Sequence, residues 1–234
     1  MIAILVFMAV LAVIISWWAA QQRLTSKPWL ETGHIGDLPP RQGSPVAAAK
    51  VGLGIFLAVV GALFALLISA YLTRMEGADW WAIPIPRLLW VNTAVLAGGS
   101  LALQRAKTEV RRGHIEATRL FLLMGLTAGV LFLGGQIVAW RQLVAAGYVV
   151  ADNPSNSFFY MITGLHGLHI LGGLAALGRT TSRAFSGVRR ERLSLSVDLC
   201  AVYWHFMLAV WLVLFALLTG WANQFAGLCR ALIT

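Results

Sequence analysis

Leu120-Phe-Leu-Leu-Met-Gly-Leu-Thr-Ala-Gly-Val-Leu-Phe-Leu-Gly-Gly-Gln-Ile-Val-Ala-Trp140 runs for 21 residues without one charged side chain. As a helix it covers about 30 Å, the thickness of a bilayer's hydrocarbon layer. Thr127, Gln136 and the closing Trp140 are its only side chains with N–H or O–H groups. Arg119 stands just before it and Arg141 just after, so the charges mark its two ends. The stretch reads as a transmembrane helix.

Five further runs have the same character: Met1–Ala20, Val51–Leu72, Leu88–Leu103, Phe158–Gly178 and Leu199–Trp221. The run at Leu88 is the shortest, and Asn92, Thr93 and Ser100 dilute it. All 9 acids and all 18 bases of the 234-residue chain fall between or beyond the six runs. Hydrophobic residues make up 59% of the chain and charged residues 12%, with a mean hydropathy of +0.77. A soluble domain carries about a quarter charged residues, so this chain needs lipid as its solvent. The fold class expected is an all-α integral membrane bundle of six transmembrane helices.

The connectors alternate in charge. The first, third and fifth hold Arg23, Lys27, Arg41 and Lys50; Arg105, Lys107, Arg111, Arg112 and Arg119; and Arg179, Arg183, Arg189, Arg190 and Arg192. The second offsets Arg74 and Arg87 with Glu76 and Asp79, and the fourth has Arg141 beside Asp152. By the positive-inside rule the odd connectors are cytoplasmic and both termini are periplasmic. Trp80, Trp81, Trp90, Trp140 and Trp221 gather at the inferred outer ends, as an aromatic belt does.

Residues 1–20 read as a retained helix rather than a signal peptide, because no basic segment precedes Ile2 and no cleavage site follows Trp18. Residues 21–49, with Pro28, Pro39, Pro40 and Pro45, read as a cytoplasmic connector to a five-helix body over residues 50–234. The net charge of +9 lies in the connectors, so it fixes topology and does not indicate nucleic acid. Cys200 and Cys229 sit at opposite ends of the last run, too far apart for a disulfide.

At membrane depth the runs hold no carboxylate, lysine or arginine, which leaves little from which to build an ion-coupled pathway. They hold three histidines: His166 and His169 in the fifth run and His205 in the sixth. Gly164, Gly167, Gly172 and Gly173 thin the fifth run and admit a close neighbour, and Gly125 and Gly129 are spaced likewise in the fourth. One reading has the histidines donating hydrogen bonds between helices. Another has His169 and His205, at similar depths on neighbouring helices, ligating a haem. A non-haem metal would lack the carboxylate ligands usual in bundle sites. No phosphate-binding loop, dinucleotide fingerprint or nucleophile elbow occurs.

Phe158-Phe-Tyr-Met-Ile-Thr-Gly-Leu-His-Gly-Leu-His-Ile-Leu-Gly-Gly173 closely resembles the signature of subunit III of haem–copper oxidases, the cytochrome c oxidase subunit III family. Phe56-Leu-Ala, Ala70-Tyr-Leu, Leu89-Trp-Val-Asn-Thr, Leu131-Phe-Leu-Gly-Gly-Gln with Trp140, and Tyr203-Trp204-His-Phe with Trp211 match in order. The resemblance covers roughly Lys50–Trp221, a five-helix family core to which Met1–Ala20 adds one helix. Three carboxylates that the family usually carries are replaced, by Val60 (in Val59-Val60), Ala139 and Leu208.

The resemblance implies a non-catalytic subunit packed beside the catalytic subunit I, with subunit II in the same membrane complex. Haem and copper would reside in that partner, and none in this chain. It further implies that the subunit cradles phospholipids, with His166, His169, His205, Trp204, Gly164 and Gly167 as structural or lipid-facing residues. On this reading the protein belongs to the respiratory chain in a bacterial inner membrane. The missing carboxylates put proton handling in doubt, and so admit an accessory subunit of a nitric oxide reductase. A haem b membrane anchor is the reading from outside the family.

Overall fold

The computed structural model describes residues 45–220, and among them every regular element is an α-helix. In chain order these are α1 (Pro45–Arg74), α2 (Leu88–Arg112), α3 (Ile115–Ala145), α4 (Pro154–Phe185) and α5 (Arg190–Leu218). The run Met1–Ala20, most of the Pro-containing connector, Trp221 and Cys229 lie outside the described residues.

Each helix extends past the apolar run that predicts it. α1 begins at Pro45, five residues before the expected start of the body. Proline tolerates the first helical turn, and the Val-Ala-Ala-Ala that follows is a strong helix former. α2 continues from Leu103 through a charged tail to Arg112, where Gly113 closes it at φ 90° and its N–H bonds Glu109 O and Val110 O. Most of the extra turns carry charged side chains, which a hydrophobicity pattern does not count.

α1, α3, α4 and α5 are each long and apolar enough to cross a membrane. α2 is more polar, for the residues noted above, yet at 25 residues it reaches about 37 Å. The first of the six spans expected from sequence, Met1–Ala20, falls on undescribed residues.

Four of the helices form a closed ring: α2 packs on α3 and α5, and α4 packs on the same two. Leu96, Leu103, Leu122, Phe132, Ile170, Trp204 and Trp211 fill its interior, each at most 1% exposed. The Gly125/Gly129 pair works as the spacing predicts. A methyl added at Gly129 would stand 2.7 Å from Leu174 and 2.8 Å from the Trp204 ring. α1 lies against the outside of the ring and engages it through aromatic side chains. Phe64 meets His166 and His169, Phe56 stacks on Tyr203, and Tyr71 meets Phe158 edge-on.

The turns fall at alternate ends. At one end the α1–α2 and α3–α4 loops are tied by Asn153 Nδ2 donating to Trp81 O at 2.7 Å. The same loop holds an Arg74–Asp79 pair, whose guanidinium keeps the Asp79 carboxyl below its usual range. At the other end Arg190 donates to Val110 O at 3.0 Å and also to Arg111 O, and Arg119 donates to Ala184 O at 3.1 Å. Arginines of the third and fifth connectors thus cap the carbonyl ends of neighbouring helices, a structural use the charge count does not reveal.

Candidate functional site

The fifth apolar run becomes α4, and its start is fixed with unusual care. Asn153 caps it by accepting from Ser155 N at 3.0 Å, with Pro154 at the first helical position. Asn156 Nδ2 and Ser157 Oγ donate to the preceding loop at Val149 O (3.0 Å) and Val150 O (2.6 Å), and Tyr160 Oη donates to Tyr148 O at 2.8 Å. The rotation of α4 is therefore set before its histidines are reached.

His166 points into the ring and is fully buried. Its imidazole sits among Phe64, Phe132 and Trp211, with ring centroids 6.1, 5.7 and 5.1 Å away. His169, three residues on, faces α1 and lies 5.4 Å from the same Phe64 ring. Its Nδ1 faces Leu165 O at 2.8 Å. A carbonyl can only accept, so Nδ1 carries a proton and donates it to Leu165 O. Tyr203 of α5 donates its hydroxyl to the His169 carbonyl at 2.7 Å.

His169 lines a groove of about 420 Å³ between α1, α4 and α5. Leu53 and Phe56 form the α1 wall, Gly172, Gly173 and Ala176 the floor, and Leu199, Cys200, Tyr203 and Trp204 the α5 wall. The floor exists because Gly173 has no side chain: a methyl there would stand 2.5 Å from the Tyr203 ring and 2.9 Å from Trp204. Few polar groups reach the groove, and most are engaged. The Tyr203 hydroxyl is used as described, and Cys200 Sγ lies 3.4 Å from Thr180 Oγ1. Such a surface suits a hydrocarbon chain.

Leu53 and Leu199 bring the groove within a helical turn of Lys50 and Asp198. Asp198, whose side chain is 14% exposed, faces Lys107 at 2.6 Å and Lys50 and Arg111 at 3.5 Å each. Three cations around one carboxylate leave two positive charges beside the groove.

The structure sorts the sequence-predicted residues. It brings His166 and His169 together around Phe64, and puts Trp204, fully buried, in the wall of the groove. Gly164 and Gly167 face Trp140 and Leu133 at ordinary contact distance, and Trp140 Nε1 donates to Thr163 Oγ1 at 3.1 Å. It does not pair His169 with His205. His205 is exposed, does not line the groove, and turns its Nδ1 to Ala201 O at 2.5 Å. The two imidazoles share depth in the sequence but do not line one groove. Val60 and Ala139 are buried at 3% and 0% exposure, and Leu208 is half-buried. Among the described residues no cluster of three or more His, Cys, Asp or Glu side chains could hold a metal ion.

Sequence reasoning missed Phe64, the Tyr203 hydroxyl and the Asp198 cluster. Tyr203 had a signal, since a tyrosine within an apolar run seeks a partner for its hydroxyl. Asp198 sits one residue before the last run, where the sequence by itself shows only a charge at a helix boundary.

The apolar ring with a helix laid against it defines a multi-pass α-helical membrane protein with a lateral groove. Residues 49–223 match the family described as cytochrome c oxidase subunit III, and the chain belongs to it. Relatives include the cytochrome c oxidase subunit 3 of Thermostichus vulcanus, 28% identical over 72% of this chain and 85% of that protein. The probable cytochrome c oxidase subunit 3 of Nocardia farcinica is 31% identical over 71% and 85%, and that of Mycobacterium leprae 29% over 72% and 86%.

Proposed function

We propose that this chain is the non-catalytic subunit III of a prokaryotic haem–copper respiratory oxidase, and that it holds phospholipid in the groove beside His169. The observation that carries the lipid reading is the groove itself, apolar along α4 and flanked by Lys50, Lys107 and Arg111. An acyl chain fits the first feature and a phosphate headgroup the second. The cationic end then belongs to the cytoplasmic leaflet, in keeping with the charge alternation. Six spans, an inner-membrane location and periplasmic termini complete the reading. Haem and copper belong to the catalytic partner, and this chain contributes packing and lipid contact.

The test is affinity purification of the tagged chain from mildly solubilised membranes, with lipids and partners identified by mass spectrometry. The expected result is a haem–copper oxygen-reducing subunit, subunit II and tightly retained phospholipid. A second reading, an accessory subunit of a nitric oxide reductase, draws on the carboxylates missing at Val60, Ala139 and Leu208. Co-purification of a nitric oxide reductase catalytic subunit would decide for it. Recovery of neither catalytic subunit would overturn both.

A further inference from the structure

At the middle of the ring, all four helices place a polar or indole group at one level. Asn92 of α2 packs on α3 at Gly135, where any side chain would collide with Asn92 Oδ1. Gln136 follows Gly135 and lies one turn beyond Phe132. The Phe132 ring is 5.7 Å from the His166 imidazole of α4 and 4.9 Å from Trp211 of α5. Trp211 stands 5.1 Å from His166 and donates Nε1 to Thr93 Oγ1 at 2.9 Å. Asn92, Gln136 and His166 are 3%, 2% and 0% exposed.

Trp211 and Thr93 satisfy one another, but the remaining groups do not. Asn92 Nδ2, Gln136 Oε1 and Nε2, and both ring nitrogens of His166 have no hydrogen-bond partner among the described residues. Each unpaired polar atom in an apolar interior forfeits its full desolvation cost, and five together would consume a large share of a fold's small stability margin. Their chemistry is complementary. The two amides supply N–H donors, Gln136 Oε1 accepts, and neutral His166 offers one donor and one acceptor in either tautomer. Two or more small molecules that each donate and accept, held at a level walled by Phe132 and Trp211, would satisfy them.

We infer that ordered water occupies this level and bridges Asn92, Gln136 and His166, forming an internal hydration site in the centre of the membrane bundle. Buried water characteristically makes about three hydrogen bonds to otherwise unpaired groups. Here it locks the register of α2, α3 and α4, since a one-residue shift of any of them breaks the bridge. The lateral groove and its occupant play no part in this site, so it stands or falls independently of the function proposed above.

Hydroxyl-radical footprinting by X-ray radiolysis of water, on the full chain in its native complex in nanodiscs, tests the inference. Radicals formed from bound water label the side chains beside it. Phe132 and Phe159 are the same residue type, buried at 1% and 0% exposure, but only Phe132 borders the proposed site. The expected result is Phe132 labelled several-fold faster than Phe159, with Gln136→Leu abolishing the difference and lowering the melting temperature. Equal rates at the two phenylalanines in the native protein would overturn the inference, whether or not the variant accumulates. So would a Gln136→Leu protein that melts higher than the native one, because removing truly unpaired groups from a dry core is stabilising.

Discussion

Tyr203 reaches across from α5 to donate its hydroxyl to the backbone carbonyl of His169 at 2.7 Å, joining one wall of the lateral groove to the helix that forms its floor. The same ring lies over Gly173, so one side chain both bonds α4 and rests on its flattest part. Tyr203→Phe keeps the ring and loses the bond. It should cost about 0.5–1.5 kcal/mol, read as a lower melting temperature of the purified complex, with the groove still formed.

Gly173→Ala should be worse than its size suggests. The added methyl meets Tyr203 and Trp204 below 3 Å, and an overpacked core site costs about 1–3 kcal/mol. Gly172→Ala is the matched control, with nothing within 4 Å of its new methyl. Lipid co-purifying with the complex should fall for Gly173→Ala and hold for Gly172→Ala, measured by quantitative lipid mass spectrometry.

Lys50→Glu should weaken retention of anionic lipid more than zwitterionic lipid. The change removes a cation 3.5 Å from Asp198 and adds a like charge beside it. The expected loss shrinks as salt is raised, because the site is near the surface and screened. Equal loss of both lipid classes in a titration of defined nanodiscs would argue against a headgroup role.

Val60→Glu should not raise oxygen consumption of the complex and should lower its stability. Val60 is 3% exposed, and an acid at helix centre costs about 2.5–3.5 kcal/mol on insertion scales. Faster turnover with unchanged thermal dissociation would show that the position still accepts an acid.

The isolated chain should bind no haem. His169 and His205 do not face one cleft, and each holds its own helix through Nδ1. A Soret band at one haem per chain, lost in His169→Ala or His205→Ala, would contradict this.

Membrane residence, the helical class and the alternation of the turns were legible from the residue order alone, because lipid demands long uncharged runs and the backbone must pair within them. The run from Leu120 to Trp140 needs no neighbour to be read as a helix. The glycines of α4 likewise announce a close approach, and the spacing of three puts His166 and His169 on one helical face. What the order of residues left undecided was direction. A three-residue step turns a side chain by about 300° on a helix, so His166 and His169 differ only slightly in bearing. One nonetheless enters the ring and the other the groove, because α4 is rotated by its Asn153 cap and by Tyr203. His205, at matching depth, is exposed and lines no part of the groove. Asn92 and Gln136 read in the sequence as dilutions of apolar runs, and only packing placed them at the level of His166. Periodicity along one helix is local physics, whereas which faces meet depends on side chains hundreds of ångströms apart along an extended chain, and tertiary packing alone settles that.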